Sequence, residues 1–373
     1  MKVTAAVARA AREPFDVTSL ELDEPREDEI LVRIEAVGIC HTDLAARDQI
    51  LRTPLPAVLG HEGVGVVERV GSAVRKVALG DRVILTFRSC GQCRRCAAHE
   101  PAYCQTGPAL NYAARRKDGS KAFHEGETPI GSNFFGQSSF STHALVYESN
   151  AIKLTTRLPA TVLAPLGCGV QAGAGGVLRA LNCEPGSSLV VTGGGAVGLS
   201  AVLAAVVAGC GSIVVVEPRA SRRDLARELG ATHSLAPDDA STLAKRIRDL
   251  VGTGMDYALD TTGIPAVMDA ALHSLRPHGT LGLLGIPREA KAPLPGSVAE
   301  VLTLGWRIKG IIGGDSDPDE FIPYLIDLHE RGLFPFDRLI RTYPFAAIND
   351  AVRDQSGGET IKPVLAFTPA GDR

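Results

Sequence analysis

Four cysteines lie close together in one polar stretch of the chain. Their spacing is Cys90-x2-Cys93-x2-Cys96-x7-Cys104, and two arginines lie among them. Thiolates clustered in this way form a closed tetrahedral site for Zn²⁺, with no coordination position left open. The stretch therefore predicts a structural zinc site. An iron–sulfur centre is the competing metal interpretation, and a disulfide pair is a further alternative.

Two further cysteines and a histidine form a second candidate metal site. Cys40 and His61 each follow a strand-like run, and Cys168 lies between two glycines. Alone, a buried cysteine or histidine is more often a packing residue than a ligand. Together the three offer two thiolates and one imidazole, which suit a catalytic zinc with one open position. Beside the nucleotide-binding pattern described next, they predict such a site.

A nucleotide-binding pattern occupies residues 188–217. A short apolar run is followed by Gly193-x-Gly195-x-x-Gly198, a proline-free helical stretch, a second apolar run and then Glu217. Glycines in such a turn let the pyrophosphate of a dinucleotide approach the backbone N–H groups at a helix N-terminus. Glu217 would accept hydrogen bonds from the adenosine ribose and repel a 2′-phosphate. The pattern therefore favours NAD over NADP.

Arginines at positions 219, 222 and 223 follow the acid closely. An arginine there can instead accommodate a 2′-phosphate, so NADP is the alternative cofactor. In this pattern and just after it, the residues that we predict to contact the cofactor are Gly193, Gly195, Ala196, Val197, Gly198, Glu217 and Arg222.

The elements that position these residues follow from the hydrophobic pattern. Residues 1–38 alternate apolar and polar positions, and a similar run at 64–70 extends a β-rich first domain of irregular barrel type. From 170 to 312 helical and strand patterns alternate, which predicts a doubly wound parallel sheet. The polar stretch 111–137 is interpreted as a long loop, and 134–141 as a return to strand.

Length and composition set the broad class. The chain has 373 residues, which predicts two domains. Its formal net charge is -3 and its positive charges are dispersed, so we expect no nucleic-acid partner. The N-terminal stretch has no apolar segment long enough for a signal peptide, and no later apolar run reaches the length of a membrane span. We therefore expect a cytoplasmic protein without a membrane partner. The remaining cysteines, Cys183 and Cys210, are interpreted as packing residues.

The residues around the second metal site resemble a known family. Gly60-His61-Glu62-x2-Gly65-x5-Gly71-x2-Val74 matches the motif of the zinc-containing alcohol dehydrogenases of the medium-chain dehydrogenase/reductase family. The four-cysteine spacing matches the structural zinc lobe of that family. The resemblance covers nearly the whole chain. The segments GICHTDLAARD, PLPAVLGHEG and APLGCGVQAGAG are most similar to those of the aryl (benzyl) alcohol dehydrogenases.

This resemblance implies an α/β fold with two domains. A β-rich, GroES-like catalytic domain would comprise residues 1–169 and 313–373, and it would be discontinuous because the chain returns to it. A Rossmann domain with a doubly wound parallel sheet would bind NAD at 170–312. The resemblance also implies a homodimer or a homotetramer.

The resemblance also implies roles for the residues at the metal. Cys40, His61 and Cys168 would hold the catalytic zinc, and Cys90, Cys93, Cys96 and Cys104 the structural one. Asp43 would orient His61 through its other ring nitrogen. Glu62 would approach the zinc when water or product exchanges.

Proton transfer and cofactor contacts follow from the same positional match. Thr42 would take the alcohol proton and pass it to the nicotinamide ribose. Many family members continue this relay with a histidine three residues later, where this chain has Ala45. His41 and Lys362 stand where family members place basic residues on the pyrophosphate.

We therefore expect reversible NAD-linked oxidation of a primary alcohol to its aldehyde, with two Zn²⁺ per chain. Phe87 would face the substrate pocket, and Phe134, Phe135 and Phe140 would border it, which favours aromatic or bulky allylic alcohols. Two alternatives stay open. One is thiol-dependent formaldehyde oxidation by a member of the same family. The other is a non-catalytic nucleotide-binding or redox-sensing protein.

Overall fold

A computed structural model of the chain describes residues 1–289 and 291–367. Residue 290 and residues 368–373, which fall within the two predicted domains, lie outside the described residues. The chain divides into two compact units. Unit 1 comprises Met1–Cys168, Asp317–Ile326 and Asp337–Arg373, and unit 2 comprises Gly169–Ser316 and Asp327–Phe336.

The β-strands are short, and most of them lie in unit 1. In chain order the strands are β1 (Lys2–Ala8), β2 (Asp16–Leu22), β3 (Ile30–Gly38), β4 (Ala57–Val58), β5 (Gly63–Val70), β6 (Arg82–Leu85), β7 (Phe123–Glu125), β8 (Thr128–Ile130), β9 (His143–Val146), β10 (Ala151–Lys153), β11 (Ser188–Thr192), β12 (Ser212–Val216), β13 (His233–Leu235), β14 (Met255–Asp260), β15 (Leu275–Leu283), β16 (Arg307–Gly310), β17 (Ile340–Pro344) and β18 (Lys362–Ala366).

The longer helices belong mainly to unit 2. In chain order the α-helices are α1 (His41–Arg47), α2 (Arg94–Ala97), α3 (Gly107–Asn111), α4 (Ala160–Leu163), α5 (Gly169–Gly175), α6 (Ala196–Val207), α7 (Ala220–Glu228), α8 (Ala240–Val251), α9 (Pro265–His273), α10 (Val298–Leu304), α11 (Pro318–Glu330) and α12 (Ile348–Gly357).

Unit 1 is built on two β-sheets. The larger has the strand order β10-β6-β5-β3-β18-β17, with β9 also paired to β3, and the smaller has the order β4-β1-β2-β7-β8. Strand β3 is central because it pairs antiparallel with β5, β9 and β18. Its apolar side chains, such as Ile30, Val32 and Ile34, belong to the hydrophobic core of this unit. Full burial of each such side chain contributes about 1.5–3 kcal/mol.

Unit 2 contains a six-stranded sheet with the order β13-β12-β11-β14-β15-β16, and every neighbouring pair is parallel. Counted from β11 as the first strand, this order is 3-2-1-4-5-6, which is that of dinucleotide-binding folds. All five residues of β11 are buried. Continuous burial of this kind is typical of parallel strands covered on both faces. The predicted doubly wound parallel sheet is confirmed.

Two local predictions are wrong. The stretch 111–137 is not simply a loop, because it contains the antiparallel hairpin of β7 and β8. Its three-residue strands are too short for an alternating pattern to reveal. The segment 134–141 is not a strand but starts with a 3-10 turn. Asn133, Phe135 and Ser138 have left-handed φ values of 62°, 53° and 56°, which are incompatible with a β-ladder.

Cys183 and Cys210, interpreted from the sequence as packing residues, interact with each other in unit 2. Cys183 is buried and Cys210 is partly exposed. A hydrogen bond between the two thiols raises the pKa of Cys183 and lowers that of Cys210 to about 7. This polar interaction is one that the sequence pattern does not reveal.

Across residues 1–289 and 291–367, no single helix is long and apolar enough to cross a membrane. Two consecutive helical segments, Ala160–Gly167 and Gly169–Ala180, are bent by 56° relative to each other and reach that length and apolar composition only when taken together. All residues of α5, which belongs to this pair, are buried within the protein.

Candidate active site

Cys40, His61 and Cys168 come together in unit 1 although they are far apart in the chain. Cys40 immediately precedes α1, His61 lies between β4 and β5, and Cys168 follows the 3-10 turn Ala164–Gly167. One ligand atom from each of them and a carboxylate oxygen of Glu62 lie within 4.8 Å of one another. The fold thus brings the three predicted ligands around one point.

Asp43 fixes the orientation of the His61 imidazole. The ring Nδ1 lies 2.7 Å from Oδ1 of Asp43, and both side chains are fully buried. Asp43 also accepts hydrogen bonds from the backbone N–H groups of Cys40 at 2.9 Å and Gly60 at 3.1 Å. Burial lowers the pKa of His61, but the charge and hydrogen bond of Asp43 outweigh this effect and raise it to about 10.

The opposite ring nitrogen of His61 is suited to a metal. Among the described residues, this buried Nε2 has no hydrogen-bond partner of normal geometry, and the Cys40 thiol lies close to it. A hydrogen bond with Cys168 lowers the pKa of Cys40 well below its usual range and raises that of Cys168. Because an unpartnered buried nitrogen costs free energy, two sulfurs and this nitrogen fit a zinc ion well.

Glu62 and Lys362 form a buried ion pair beside these ligands. The Lys362 Nζ lies 2.5 Å from Oε2 of Glu62 and donates to the Ile39 carbonyl at 3.1 Å. Burial raises the pKa of Glu62, with the Lys362 charge opposing it. Burial also lowers the pKa of Lys362, but the Glu62 charge outweighs this effect and raises it. The ammonium group is thus held within unit 1, and its predicted pyrophosphate contact stays a prediction.

The four clustered cysteines also converge in unit 1. Their sulfur atoms lie within 4.8 Å of one another. The backbone N–H of Cys90 donates to the Cys104 sulfur at 3.2 Å, and that of Cys93 donates to the Cys90 sulfur at 3.3 Å. Backbone hydrogen bonds from Cys96 and Gln105 lower the pKa of Cys93 to about 6. The cluster therefore fits a closed zinc site, which prefers thiolates.

Aromatic side chains surround the His61 ring. Phe135 stacks on it with ring centroids 4.4 Å apart, and Phe134 meets it edge-on at 5.8 Å. Tyr112 contacts Phe135 edge-on at 5.4 Å. Burial, and then the charge of Cys168, raise the pKa of Tyr112. Sequence reasoning missed Tyr112 because it stands in a stretch without a hydrophobic period.

The two other predicted pocket phenylalanines lie elsewhere in unit 1. Phe140 is completely buried and packs edge-on against Phe15 at 5.5 Å, as a core residue does. Phe87 is partly buried against the same core. Together with Gly91 and Cys96 it lines a cavity of about 170 Å³. The place of Phe87 in a substrate pocket stays a prediction.

Helix α1 carries the residues predicted to move protons and contact phosphate. Oγ1 of Thr42 lies 3.7 Å from the Cys40 sulfur, which places the hydroxyl at the candidate metal site. His41 is the first residue of the helix and is exposed. Ala45 lies about one turn further along α1 and has no group that transfers protons.

In unit 2, the glycine turn joins β11 to the N-terminus of α6. Gly193 has a φ of +100°, and a Cβ atom there would lie 2.4 Å from Oγ1 of Thr261. A Cβ on Gly198 would lie only 1.8 Å from the carbonyl oxygen of Gly193. By contrast, a Cβ on Gly195 would point into open space. This space at the N-cap of α6, next to Ala196 and Val197, fits a pyrophosphate group.

Glu217 is buried at the end of β12, beside the glycine turn. Its Oε2 accepts a hydrogen bond from the Gly194 N–H at 2.7 Å, and its Oε1 accepts one from the Arg219 N–H at 2.9 Å. Each carboxylate oxygen keeps further acceptor capacity for a ribose hydroxyl. Burial of Arg222 lowers the pKa of its guanidinium group, and the charge of Glu217 only partly offsets this effect.

The sequence matches two family models. Residues 26–156 match the alcohol dehydrogenase GroES-like domain, and residues 196–331 match the zinc-binding dehydrogenase model. Geraniol dehydrogenase from Castellaniella defragrans is 46% identical over 364 residues, which are 97% of this chain and 97% of that protein.

Solved structures show the same fold. Benzyl alcohol dehydrogenase from Acinetobacter calcoaceticus is 39% identical and superposes with a TM-score of 0.94, over 99% of this chain and 100% of that one. A zinc-binding alcohol dehydrogenase domain protein from Burkholderia ambifaria is 47% identical with a TM-score of 0.95, over 99% of both chains. The chain therefore belongs to the zinc-containing alcohol dehydrogenases of the medium-chain dehydrogenase/reductase family. The predicted family and fold class are confirmed, and the protein is an alcohol dehydrogenase.

Proposed function

We propose that the protein oxidises aromatic or bulky allylic primary alcohols to aldehydes, with NAD as hydride acceptor and zinc at Cys40, His61 and Cys168. The observation that carries this proposal is the buried set of two sulfurs and one imidazole nitrogen. The ligand atoms lie within 4.8 Å of one another, and Asp43 fixes the imidazole on its far side. When bound, zinc acts as a Lewis acid that lowers the pKa of an alcohol.

The residues of α1 then handle the proton of the alcohol. We propose that Thr42 accepts it at Oγ1, and the 3.7 Å distance from this oxygen to the sulfur of Cys40 supports this role. Ala45 cannot continue a side-chain relay along the helix. We therefore propose that the proton leaves Thr42 for solvent through water and not through a second side chain of α1.

Asp43 and Glu62 support the metal site in different ways. Asp43 keeps the proton of His61 on Nδ1, so that Nε2 can act as a ligand. The carboxylate of Glu62 belongs to the same cluster of ligand atoms and is held by Lys362 at 2.5 Å. Glu62 is thus poised to approach the metal when water or product exchanges.

Unit 2 would bind the cofactor, which supplies the hydride-accepting nicotinamide when bound. The open space beside Gly195 and the N-terminus of α6 would hold the pyrophosphate. The free acceptor capacity of Glu217 suits the two hydroxyls of the adenosine ribose, and its charge disfavours a 2′-phosphate. Arg222 would contact the adenosine end of the cofactor. These features support NAD rather than NADP.

The substrate class rests on the aromatic surroundings of His61. Phe134 and Phe135 contact the His61 ring, and Tyr112 packs edge-on against Phe135. Burial of apolar area contributes about 25 cal/mol per Å², so an alcohol with a ring or a long prenyl chain gains more than ethanol. The names of two similar proteins, a geraniol dehydrogenase and a benzyl alcohol dehydrogenase, support the same class.

Zinc content and steady-state kinetics test the proposal together. The purified protein is assayed for NADH formation from benzyl alcohol, geraniol, hexanol and ethanol, with and without glutathione. We expect two zinc ions per chain and a kcat/KM for benzyl alcohol or geraniol at least about tenfold above that for ethanol, equivalent to about 1.4 kcal/mol.

Each alternative gives a different result in this assay. A kcat/KM for ethanol that equals the others removes the aromatic or allylic assignment but leaves the zinc dehydrogenase in place. Oxidation of formaldehyde that requires glutathione identifies the thiol-dependent reaction. NAD binding without turnover of any alcohol identifies a nucleotide-binding protein without catalysis.

A further inference from the structure

Gln137 immediately follows the Phe134–Gly136 turn. Its side chain is 1% exposed, so its carboxamide is removed from water. Nε2 donates to the carbonyl oxygens of His61 at 2.9 Å and Thr86 at 3.0 Å. Oε1 accepts from the backbone N–H of Gly63 at 3.2 Å and from Oγ of Ser139 at 2.5 Å. Both amide protons and both acceptor sites of Gln137 are therefore used.

The carboxamide joins two segments that no β-ladder connects at this point. His61 and Gly63 belong to the segment that enters β5, whereas Thr86 immediately follows β6. The register of β5 with β6 begins only at the pair Val64–Ile84. Beyond the end of this ladder, the side chain of Gln137 takes the place of backbone pairing.

Thr86 extends this connection to the other ligand-bearing segment. Its Oγ1 donates to the carbonyl oxygen of Gly167 at 2.7 Å, and Gly167 immediately precedes Cys168. All three residues, Gln137, Thr86 and Gly167, are buried. A continuous path of short hydrogen bonds thus runs from the backbone of His61 through Gln137 and Thr86 to the backbone beside Cys168.

We infer that Gln137 is a positioning residue that sets the spacing between His61 and Cys168 and thereby the affinity of the site for zinc. This inference rests on the proposed catalytic zinc site. Hydrogen bonds outside the ligands themselves fix the orientation of a metal site, and their loss typically weakens metal binding about 10- to 100-fold. An apolar residue in place of Gln137 leaves buried carbonyl and N–H groups unpaired on the segment that carries a ligand, so that segment has to move.

The test compares zinc retention in three single variants of the full-length holoprotein and in the double variant Gln137→Met/Thr86→Val. Gln137→Met removes the carboxamide at similar volume. Thr86→Val removes only the hydroxyl that reaches Gly167. Tyr343→Phe is the matched control, because it also removes buried hydrogen bonds in unit 1. The Tyr343 hydroxyl donates to Asp354 at 2.8 Å and forms a second hydrogen bond with the Thr360 hydroxyl at 2.8 Å.

Release of zinc to a chelating indicator is followed after mixing, and the zinc sites are also loaded with Co²⁺ for visible spectra. We expect Gln137→Met to release one of two zinc ions about 10- to 100-fold faster than the wild type. Thr86→Val should accelerate zinc release by a smaller factor. The double variant should accelerate it by less than the product of the two single factors, because both residues act on one path. The Co²⁺ bands of that one site should shift in Gln137→Met but not in Tyr343→Phe.

Wild-type release rates and unshifted Co²⁺ bands in Gln137→Met would overturn the inference, as would an equal acceleration in Tyr343→Phe. Should Gln137→Met not fold, the isosteric Thr86→Val decides: unchanged zinc release then overturns the inference. A wild-type protein that holds only one zinc, bound by the four clustered cysteines, contradicts the proposed catalytic site itself. If the wild type holds two zinc ions and the variants retain zinc as the wild type does, the role of Gln137 is contradicted but the proposed catalytic site is not.

Discussion

Nδ1 of His61 lies 2.7 Å from Oδ1 of Asp43, and neither side chain is accessible to solvent. The same carboxylate accepts the backbone N–H groups of Cys40 and Gly60. One buried charge thus fixes the imidazole and the backbone next to two of the candidate zinc ligands. This arrangement favours a preorganised metal site over one that forms only around the ion.

Replacement of Asp43 by asparagine should weaken zinc binding at this site. An amide can accept at one oxygen but presents an N–H group where the carboxylate accepted another hydrogen bond. We expect about 10- to 100-fold lower zinc affinity, with the zinc of the four-cysteine cluster retained. Zinc content per chain after dialysis against graded chelator measures this. Equal zinc content in variant and wild type at every chelator concentration would show that Asp43 does not support the metal.

Glu29 and Arg116 give unit 1 a pH-dependent contribution to stability. The Glu29 carboxylate accepts from Nε and Nη2 of Arg116 at 2.7 and 2.9 Å and from the Tyr147 hydroxyl at 3.0 Å. Burial raises the pKa of Glu29, but these hydrogen bonds and the charge of Arg116 outweigh it and lower the pKa. The folded state therefore gains stability above the unfolded-state pKa of about 4.3 and loses it as the pH falls through the lower folded value.

Glu29→Gln should destabilise the protein by about 2 kcal/mol at pH 7, because it removes the buried counter-charge of Arg116. The loss is not larger because Asp23 still offers Arg116 a counter-charge at 2.6 Å. The difference from the wild type should shrink as the pH falls below 4. Thermal unfolding across this pH range measures both effects. Asp118→Asn, which removes an exposed ion pair with Arg26, is the matched control and should change little. A difference that stays constant down to acid pH would rule out the carboxylate as its cause.

Cys93→Ser should impair folding or assembly before it affects chemistry. The four sulfur atoms lie within 4.8 Å of one another, and a structural zinc held by them contributes folding free energy directly. Zinc content and the midpoint of thermal unfolding are the measurements. Cys210→Ser, at a cysteine outside both metal clusters, should retain both zinc ions. A Cys93→Ser protein that lacks one zinc yet unfolds at the wild-type temperature would contradict a structural role.

Glu217→Ala should reduce the preference for NAD over NADP. The substitution removes a carboxylate that can accept both ribose hydroxyls and that repels a 2′-phosphate. The ratio of kcat/KM for the two cofactors, measured with one alcohol, should favour NAD in the wild type and narrow in the variant. A wild-type preference for NADP would mean that Arg219 or Arg222 determines the cofactor instead.

The sequence predicts best those features whose physical cause is local. The four-cysteine spacing, the glycine turn and the acid at the end of β12 each lie within a short stretch, and the fold places their members together. Apolar strands such as β11 and β12 are equally evident, because a run of buried β-branched residues has few other structural explanations.

What the sequence does not predict depends on contacts between distant segments. Gln137 bonds to His61 and Thr86, and Arg116 bonds to Glu29, all across sequence separations of more than fifty residues. The segment 134–141 has the residue types of a strand, but turn bonds such as Gly136 N–H to the Asn133 carbonyl and isolated backbone bonds to Leu59 and Gly60 replace a ladder. No periodic pattern marks a buried amide of this kind, or the position of Tyr112 beside Phe135.

Turnover by His61→Ala, measured together with zinc content and NADH binding, tests most directly the claim that alcohol oxidation depends on the Cys40, His61 and Cys168 site. His99→Ala, at a histidine whose side chain is 74% exposed, is the matched control and should behave as the wild type. We predict that His61→Ala folds, binds NADH, retains one zinc ion and forms no detectable NADH from benzyl alcohol or geraniol. A His61→Ala protein that oxidises either alcohol at a rate near that of the wild type would contradict the account.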